Sequence, residues 1–162
     1  MPTDLSSATL CLVRRRGAAD ALLLGRKKRG FATGKYGGFG GKLEPGETIA
    51  AAAARELAEE CGLRVSPQEL RPVAELTFRF PHQPAWDQIV HTFLVEQWQG
   101  EPVESEEMAP AWFPVADIPY ALMWDDSLFW LPALLAGKRL RGRFTFRADN
   151  ETVERAELEI LT

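Results

Sequence analysis

Hydrophobic and polar positions along the chain follow two periods. Ala8 to Val13 and Ala21 to Leu24 are short apolar runs on either side of the polar, Gly-containing segment Arg14–Asp20. Such runs around a turn predict two strands joined as a hairpin. Arg26–Tyr36 is basic and Gly-containing, which predicts a loop. Gly37-Gly38-Phe39-Gly40-Gly41 holds four glycines in five positions. That excludes a helix and suits a short strand or a backbone passing close to a ligand. Over Ile49–Cys61 the pattern turns helical, with Thr48 placed to cap the start and Gly62 to end it. Leu70–Phe80 and Ile89–Trp98 predict strands, with Pro81–Asp87 as the turn between them. Trp112-Phe113 reads as a short strand or the approach to one. Asp126–Leu135 predicts a second helix, started by Asp or Ser and ended by Gly137, although Pro132 interrupts it. Arg141–Arg147 and Thr152–Leu161 alternate around an Ala148-Asp149-Asn150 turn. Strands interleaved with two helices predict a mixed α/β domain.

The length of 162 residues predicts one domain spanning 1–162. Hydrophobic residues at 46% and charged residues at 26% are ordinary for a globular chain, which excludes collagen-like and wholly disordered readings. The net charge of −4 disfavours polymeric nucleic acid as a partner. A small anionic ligand held by locally focused positive charge remains open. Arg14–Arg16 reads as a solvated turn. Cys11, Cys61, His82 and His91 are too scattered for a structural zinc site. The start of the chain lacks a signal peptide's order, and the longest apolar run, Leu128 to Ala136, is short of the ~20 residues a membrane helix needs. The expectation is a reducing, cytoplasmic protein, monomeric and away from membranes.

The candidate chemistry sits on the first helix. On a wheel turning ~100° per residue, Glu56, Glu59 and Glu60 share an arc of about 100°. Ala50, Ala53, Ala54, Leu57 and Cys61 form a separate apolar face. One side can therefore pack on a sheet while the other presents clustered acid. Three close carboxylates repel unless protons or a cation neutralise them, and hard oxygen ligands suit Mg²⁺ or Mn²⁺. Taken alone, a Glu-rich helix is more often a solvated face.

The flanking residues change that balance. Gly41-Lys42-Leu43-Glu44-Pro45-Gly46-Glu47 leads through Thr48–Ala54 into Arg55-Glu56-Leu57-Ala58-Glu59-Glu60-Cys61-Gly62-Leu63. This resembles the Nudix box at all nine specified positions. By composition, such a match has a chance on the order of one in a billion at a given start. The resemblance implies an α/β/α sandwich with a mixed β-sheet and metal-dependent hydrolysis of a nucleoside diphosphate linked to another group. It implies that Gly41, Glu56, Glu59 and Glu60 serve the metal. It also implies that Glu47 and Arg55 pair to brace the loop against the helix.

Beyond the box, the chain resembles the MutT-homologue branch, which hydrolyses oxidised purine nucleoside triphosphates such as 8-oxo-dGTP. That likeness runs from about Thr9 to Phe146. It rests on Lys27-Lys28-Arg29-Gly30-Phe31, Gly38-Phe39-Gly40-Gly41-Lys42, Pro102-Val103-Glu104-Ser105 with Glu107-Met108, Trp112-Phe113, Ile118-Pro119 and Met123-Trp124 followed by two Asp. It implies Thr9, Lys27, Phe31, Gly37, Phe78, Phe80, Trp124, Asp125 and Asp126 at the substrate and Glu107 as a further metal acid. Trp124 would stack on the base. Alone, Glu104–Glu107 would read as solvated charge, and Lys28 and Arg29 as surface decoration. Two positions depart from the branch. Gly37 stands where it usually has Asn, and no Pro separates Trp124 from the acids. Without a gap, Asp126 and Ser127 take the places of the two acids; with Pro deleted, Asp125 and Asp126 do. The alternatives are the same hydrolysis on a methylated purine triphosphate or dinucleotide derivative, or a nucleotide-sensing domain without catalysis.

Overall fold

The computed structural model describes residues 5–161. Eight strands form one mixed sheet: β1 (Ser6–Arg15), β2 (Ala21–Lys27), β3 (Tyr36–Gly37), β4 (Arg71–Arg79), β5 (Gln88–Val95), β6 (Met108–Pro114), β7 (Arg139–Phe146) and β8 (Val153–Leu161). Their order is β3-β2-β1-β5-β4-β7-β8, with β6 along β2. The β1–β5 and β4–β7 pairs are parallel, and the remaining strand pairs are antiparallel. Helices α1 (Ile49–Cys61) and α2 (Ser127–Leu135) complete the fold.

The central strands are buried on both faces, so they read as continuous apolar runs. One face of β1, with Cys11 and Val13, packs with Leu23, Phe93, Val95 and the α1 residues Ala53, Leu57 and Cys61. The other face, with Leu12, joins Leu22, Leu24, Leu76, Val90, Leu94, Phe144 and the α2 residues Trp130, Leu131 and Leu134. This layering is the expected α/β/α sandwich.

Helix α1 has the predicted bounds. Thr48 Oγ1 accepts from Ala51 N at 3.1 Å, and Gly62, at φ 78°, donates its N–H to Ala58 O at 3.0 Å. In α2 the predicted start is one residue early: Asp126 occupies the cap position without a side-chain capping bond. Strand β6 is a larger departure. Only Trp112-Phe113 was expected, but seven residues pair antiparallel with β2 from Met108 to Pro114. Pro110 and Pro114 obscure it in the sequence, and they are tolerated because β6 lies at an edge.

The expected solvated turn at Arg14–Arg16 is corrected. Arg14 is only 4% exposed, with its guanidinium on both Asp20 oxygens at 3.0 and 2.9 Å and on Leu135 O at 2.9 Å. It ties the hairpin to the end of α2. Arg15 lies over Trp112, and Arg16 pairs with Glu96.

Candidate active site

The glycine run is wedged beside β1, opposite β5. Phe39 exchanges backbone hydrogen bonds with Cys11, and Gly41 O accepts from Thr9 N at 2.9 Å. Phe39, fully buried, is the run's one side-chain anchor. A Cβ at Gly38 would stand 2.6 Å from Cys11 O, and one at Gly40 only 1.8 Å from Thr9 O. Those two glycines are demanded by the close backbone approach. At Gly41 a Cβ would come within 2.7 Å of Glu56 Oε1, so this glycine makes room for the acid itself. At Gly37 a Cβ would meet nothing within 4 Å.

Arg55 organises the acids of the box. It grips Glu47 with two bonds of 2.6 and 2.9 Å, and also reaches Glu56 Oε1 at 2.9 Å, Glu59 Oε2 at 3.3 Å and Lys42 O at 3.2 Å. The Arg55 bonds, with a further bond from Glu44 N, hold the Glu47 carboxyl down at about 2. The expected brace is therefore present. Glu60, 8% exposed, accepts from Gly40 N at 2.8 Å. Burial is the main reason its pKa is pushed up to about 7, and the neighbouring charges of Glu56 and Glu107 add to it, against the Gly40 bond and Lys27.

Glu107 ends the turn before β6. It accepts from Arg29 at 3.0 and 2.8 Å and lies 3.8 Å from Lys27 Nζ. Lys28 bonds Glu104 and Ser105 O, so Lys28 and Arg29 tie two loops together and do more than decorate the surface. The segment expected as solvated charge is likewise paired. Among the described residues, no three His, Cys, Asp or Glu side chains gather into a ready metal cage. Of the expected set, Gly41 adjoins Glu56, and Glu60 feels the charges of Glu56 and Glu107, while Arg55 engages Glu56 and Glu59 and Arg29 engages Glu107. The donors nevertheless fit a hard divalent cation. They are carboxylate oxygens, the Gly41 backbone leaves the space that Glu56 uses, and the buried Glu60 sits beside negative charge that an added cation would offset.

Next to these acids opens a cleft of about 350 Å³. Phe78, Phe80, Trp124, Trp130 and Phe146 line its aromatic part, with Lys27, Lys35 and Lys42 among its charged groups. Phe80 stacks on Phe146 at 4.6 Å. Trp124 has Phe31 at 5.4 Å and Lys35 Nζ at 5.3 Å from its ring. Phe31 is 57% exposed and meets Trp86 edge-on.

The structure separates the two candidate acids. Asp126 lines the cleft, is 5% exposed and accepts from Trp130 Nε1 at 2.8 Å. Burial pushes its carboxyl up to about 6, against the Trp130 bond. Asp125 is exposed and accepts from Val153 N at 2.8 Å, which ties it to the start of β8 and not to the cleft. Its expected place at the substrate is corrected. Ser127 lines the cleft beside Asp126, the pair that the ungapped reading names. Thr9 also lines it, with its hydroxyl donating to Gly41 O at 3.3 Å.

Sequence reasoning missed Tyr36, Lys35, Gln88, Trp130 and Phe146. Two signals were there to use. Trp130 is four residues after Asp126 at a helix start, and Gln88 shares strand parity with Val90.

The box, and the cleft residues named above other than Phe146, lie in a recognised domain: the NUDIX domain family matches residues 4–134. The chain belongs to the NUDIX family. It is 44% identical over 146 residues to a zebrafish (Danio rerio) protein named oxidized purine nucleoside triphosphate hydrolase, covering 90% of each chain. It is 46% identical over 132 residues to the mouse (Mus musculus) protein of that name, covering 82% of each. Its fold matches a MutT mutator protein from Bacillus halodurans with a TM-score of 0.81 at 24% identity, over 96% of this chain and 98% of that one. With fold and box both in place, this is a Nudix hydrolase, a class that generally uses divalent metal ions. Among the described residues, no helix is long and apolar enough to cross a membrane.

Proposed function

We propose that this Nudix hydrolase is a Mg²⁺-dependent pyrophosphohydrolase of oxidised purine nucleoside triphosphates such as 8-oxo-dGTP, releasing the monophosphate and pyrophosphate. The observation that carries the reading is the junction of an aromatic cleft, sized for a nucleotide base, with an edge of acids and lysines. The names of the zebrafish and mouse relatives support the substrate class.

Trp124 offers a flat face for the base, where stacking is worth ~1–3 kcal/mol. Asp126 faces the base edge from a dry wall and can donate or accept according to its protonation. Lys27, Lys35 and Lys42 offset phosphate charge. Glu56, Glu59, Glu60 and the Gly41 backbone would hold Mg²⁺ or Mn²⁺, with Glu107 close enough to influence Glu60. A divalent ion held there neutralises phosphate charge and acidifies a bound water. Glu47 and Arg55 keep the loop and helix in register without touching the substrate. The buried free thiols Cys11 and Cys61 support a reducing, cytoplasmic setting.

The test is a panel of oxidised, unmodified and methylated purine triphosphates and a dinucleotide, with Mg²⁺ and scored by released pyrophosphate. The highest kcat/KM should fall on an oxidised purine. A higher value on a methylated purine or a dinucleotide refutes the substrate class and leaves the Nudix chemistry standing.

A further inference from the structure

Gln88 begins β5 and is paired with Ser6 of β1 and Phe78 of β4. Strand alternation puts it on the same face as Val90, and Gln88, Val90 and Phe78 all line the cleft. It is the one side-chain carboxamide among the described cleft residues. Its neighbour Asp87 is engaged by Phe80 N and Arg79. Gln88 itself makes no side-chain hydrogen bond among the described residues. A half-buried amide between aromatic walls, with no side-chain partner among the described residues, is set up for a ligand. The bare backbone at Gly37 contributes no competing side chain.

We propose that Gln88 reads the edge that oxidation at C8 creates on a purine, a specificity role that rests on the substrate class proposed above. In an unmodified purine N7 is an acceptor and C8 bears only hydrogen. In the 8-oxo form N7 carries a proton and C8 a keto oxygen, so a donor lies beside an acceptor. A carboxamide presents an acceptor and a donor in one plane. It complements the oxidised edge with two hydrogen bonds and can offer the unmodified edge one. Apolar walls at Phe78 and Phe146 raise the cost of the mismatch, because water cannot readily replace the missing partner.

The experiment measures kcat/KM for 8-oxo-dGTP, dGTP and dATP in wild type, Gln88→Met and Gln88→Glu, with melting temperatures to verify folding. Met keeps the length and removes both hydrogen-bonding groups. Glu keeps the shape and, when ionised, replaces the donor by an acceptor facing the keto oxygen. Gln88→Met should lower the 8-oxo-dGTP to dGTP ratio by about tenfold to a hundredfold, mainly through KM. Gln88→Glu should lower it further. An unchanged ratio in both variants, or an equal loss on all three substrates, overturns the role of Gln88 and leaves the substrate class intact. A wild type with no preference for 8-oxo-dGTP refutes the substrate class, and the role of Gln88 with it, in the arm that contains no variant.

Discussion

Asp126→Asn should remove one source of the pH dependence of stability while impairing base recognition. The Asp126 carboxyl titrates at about 6 in the folded protein against 3.8 for a free side chain, and burial is the main cause. Between those values the folded state binds the extra proton, so stability falls as pH rises and the loss is complete above about 6. The full penalty is about 3 kcal/mol, from about 2.2 pH units at 1.36 kcal/mol each. Most of it, about 2 kcal/mol, develops between pH 4 and pH 7. Asn has no charge to lose and can still accept from Trp130 Nε1. Any fixed cost of its buried NH₂ is the same at every pH. The stability difference between variant and wild type, from urea unfolding at pH 4 through 7, should therefore shift by about 2 kcal/mol in favour of Asn as pH rises. A difference that stays flat over that range would refute the assignment of a desolvated, titrating carboxyl. At neutral pH the variant should also lose kcat/KM unevenly among purines, because one hydrogen-bonding edge changes and the Trp124 platform does not.

Other consequences are equally direct. Glu60→Gln should cut turnover by orders of magnitude with melting preserved, and excess chelator should do the same to the wild type; near-normal rates in either experiment would contradict metal-dependent hydrolysis. Glu47→Gln should lower both melting temperature and rate, with a smaller rate loss than Glu60→Gln, because Arg55 loses its ionised partner; unchanged melting with the larger rate loss would reverse the assignment. Trp124→Ala should raise KM about tenfold to a hundredfold for every purine triphosphate, since stacking worth ~1–3 kcal/mol is lost without regard to the base. A selective effect at Trp124 would mean that it reads an edge and does not merely stack.

Helix α1 was legible because its determinants are local. Thr48 and Gly62 act within a turn and bound the helix where expected, and Ala53, Leu57 and Cys61 are buried as the apolar face required, though Ala52 and the acid Glu60 are buried with them. The brace between Glu47 and Arg55 was legible through the box that carries it. Strand β6 was not. Its two prolines argue against a strand unless its outer side is known to be an edge, and that depends on where β2 lies. Arg14 looked like one of three solvated arginines until α2 brought Leu135 O to it across 121 positions.

The sequence by itself determined the chemistry: a glycine that admits Glu56, an arginine that clamps Glu47, and carboxylates grouped by the helical repeat. Those relations span eight residues or fewer within the helix and its approach, or are imposed by residue size at one glycine. Tertiary structure alone decided which groups line the cleft. Asp125 and Asp126 are adjacent and chemically identical, yet Val153 N, 28 positions away, takes the first and Trp130 takes the second. Gln88 gained its place because β5 pairs with β1 and β4, bringing Phe78 alongside it. Helical period is a property of the local backbone, whereas the composition of a cleft wall follows from sheet order and register, which distant segments set together.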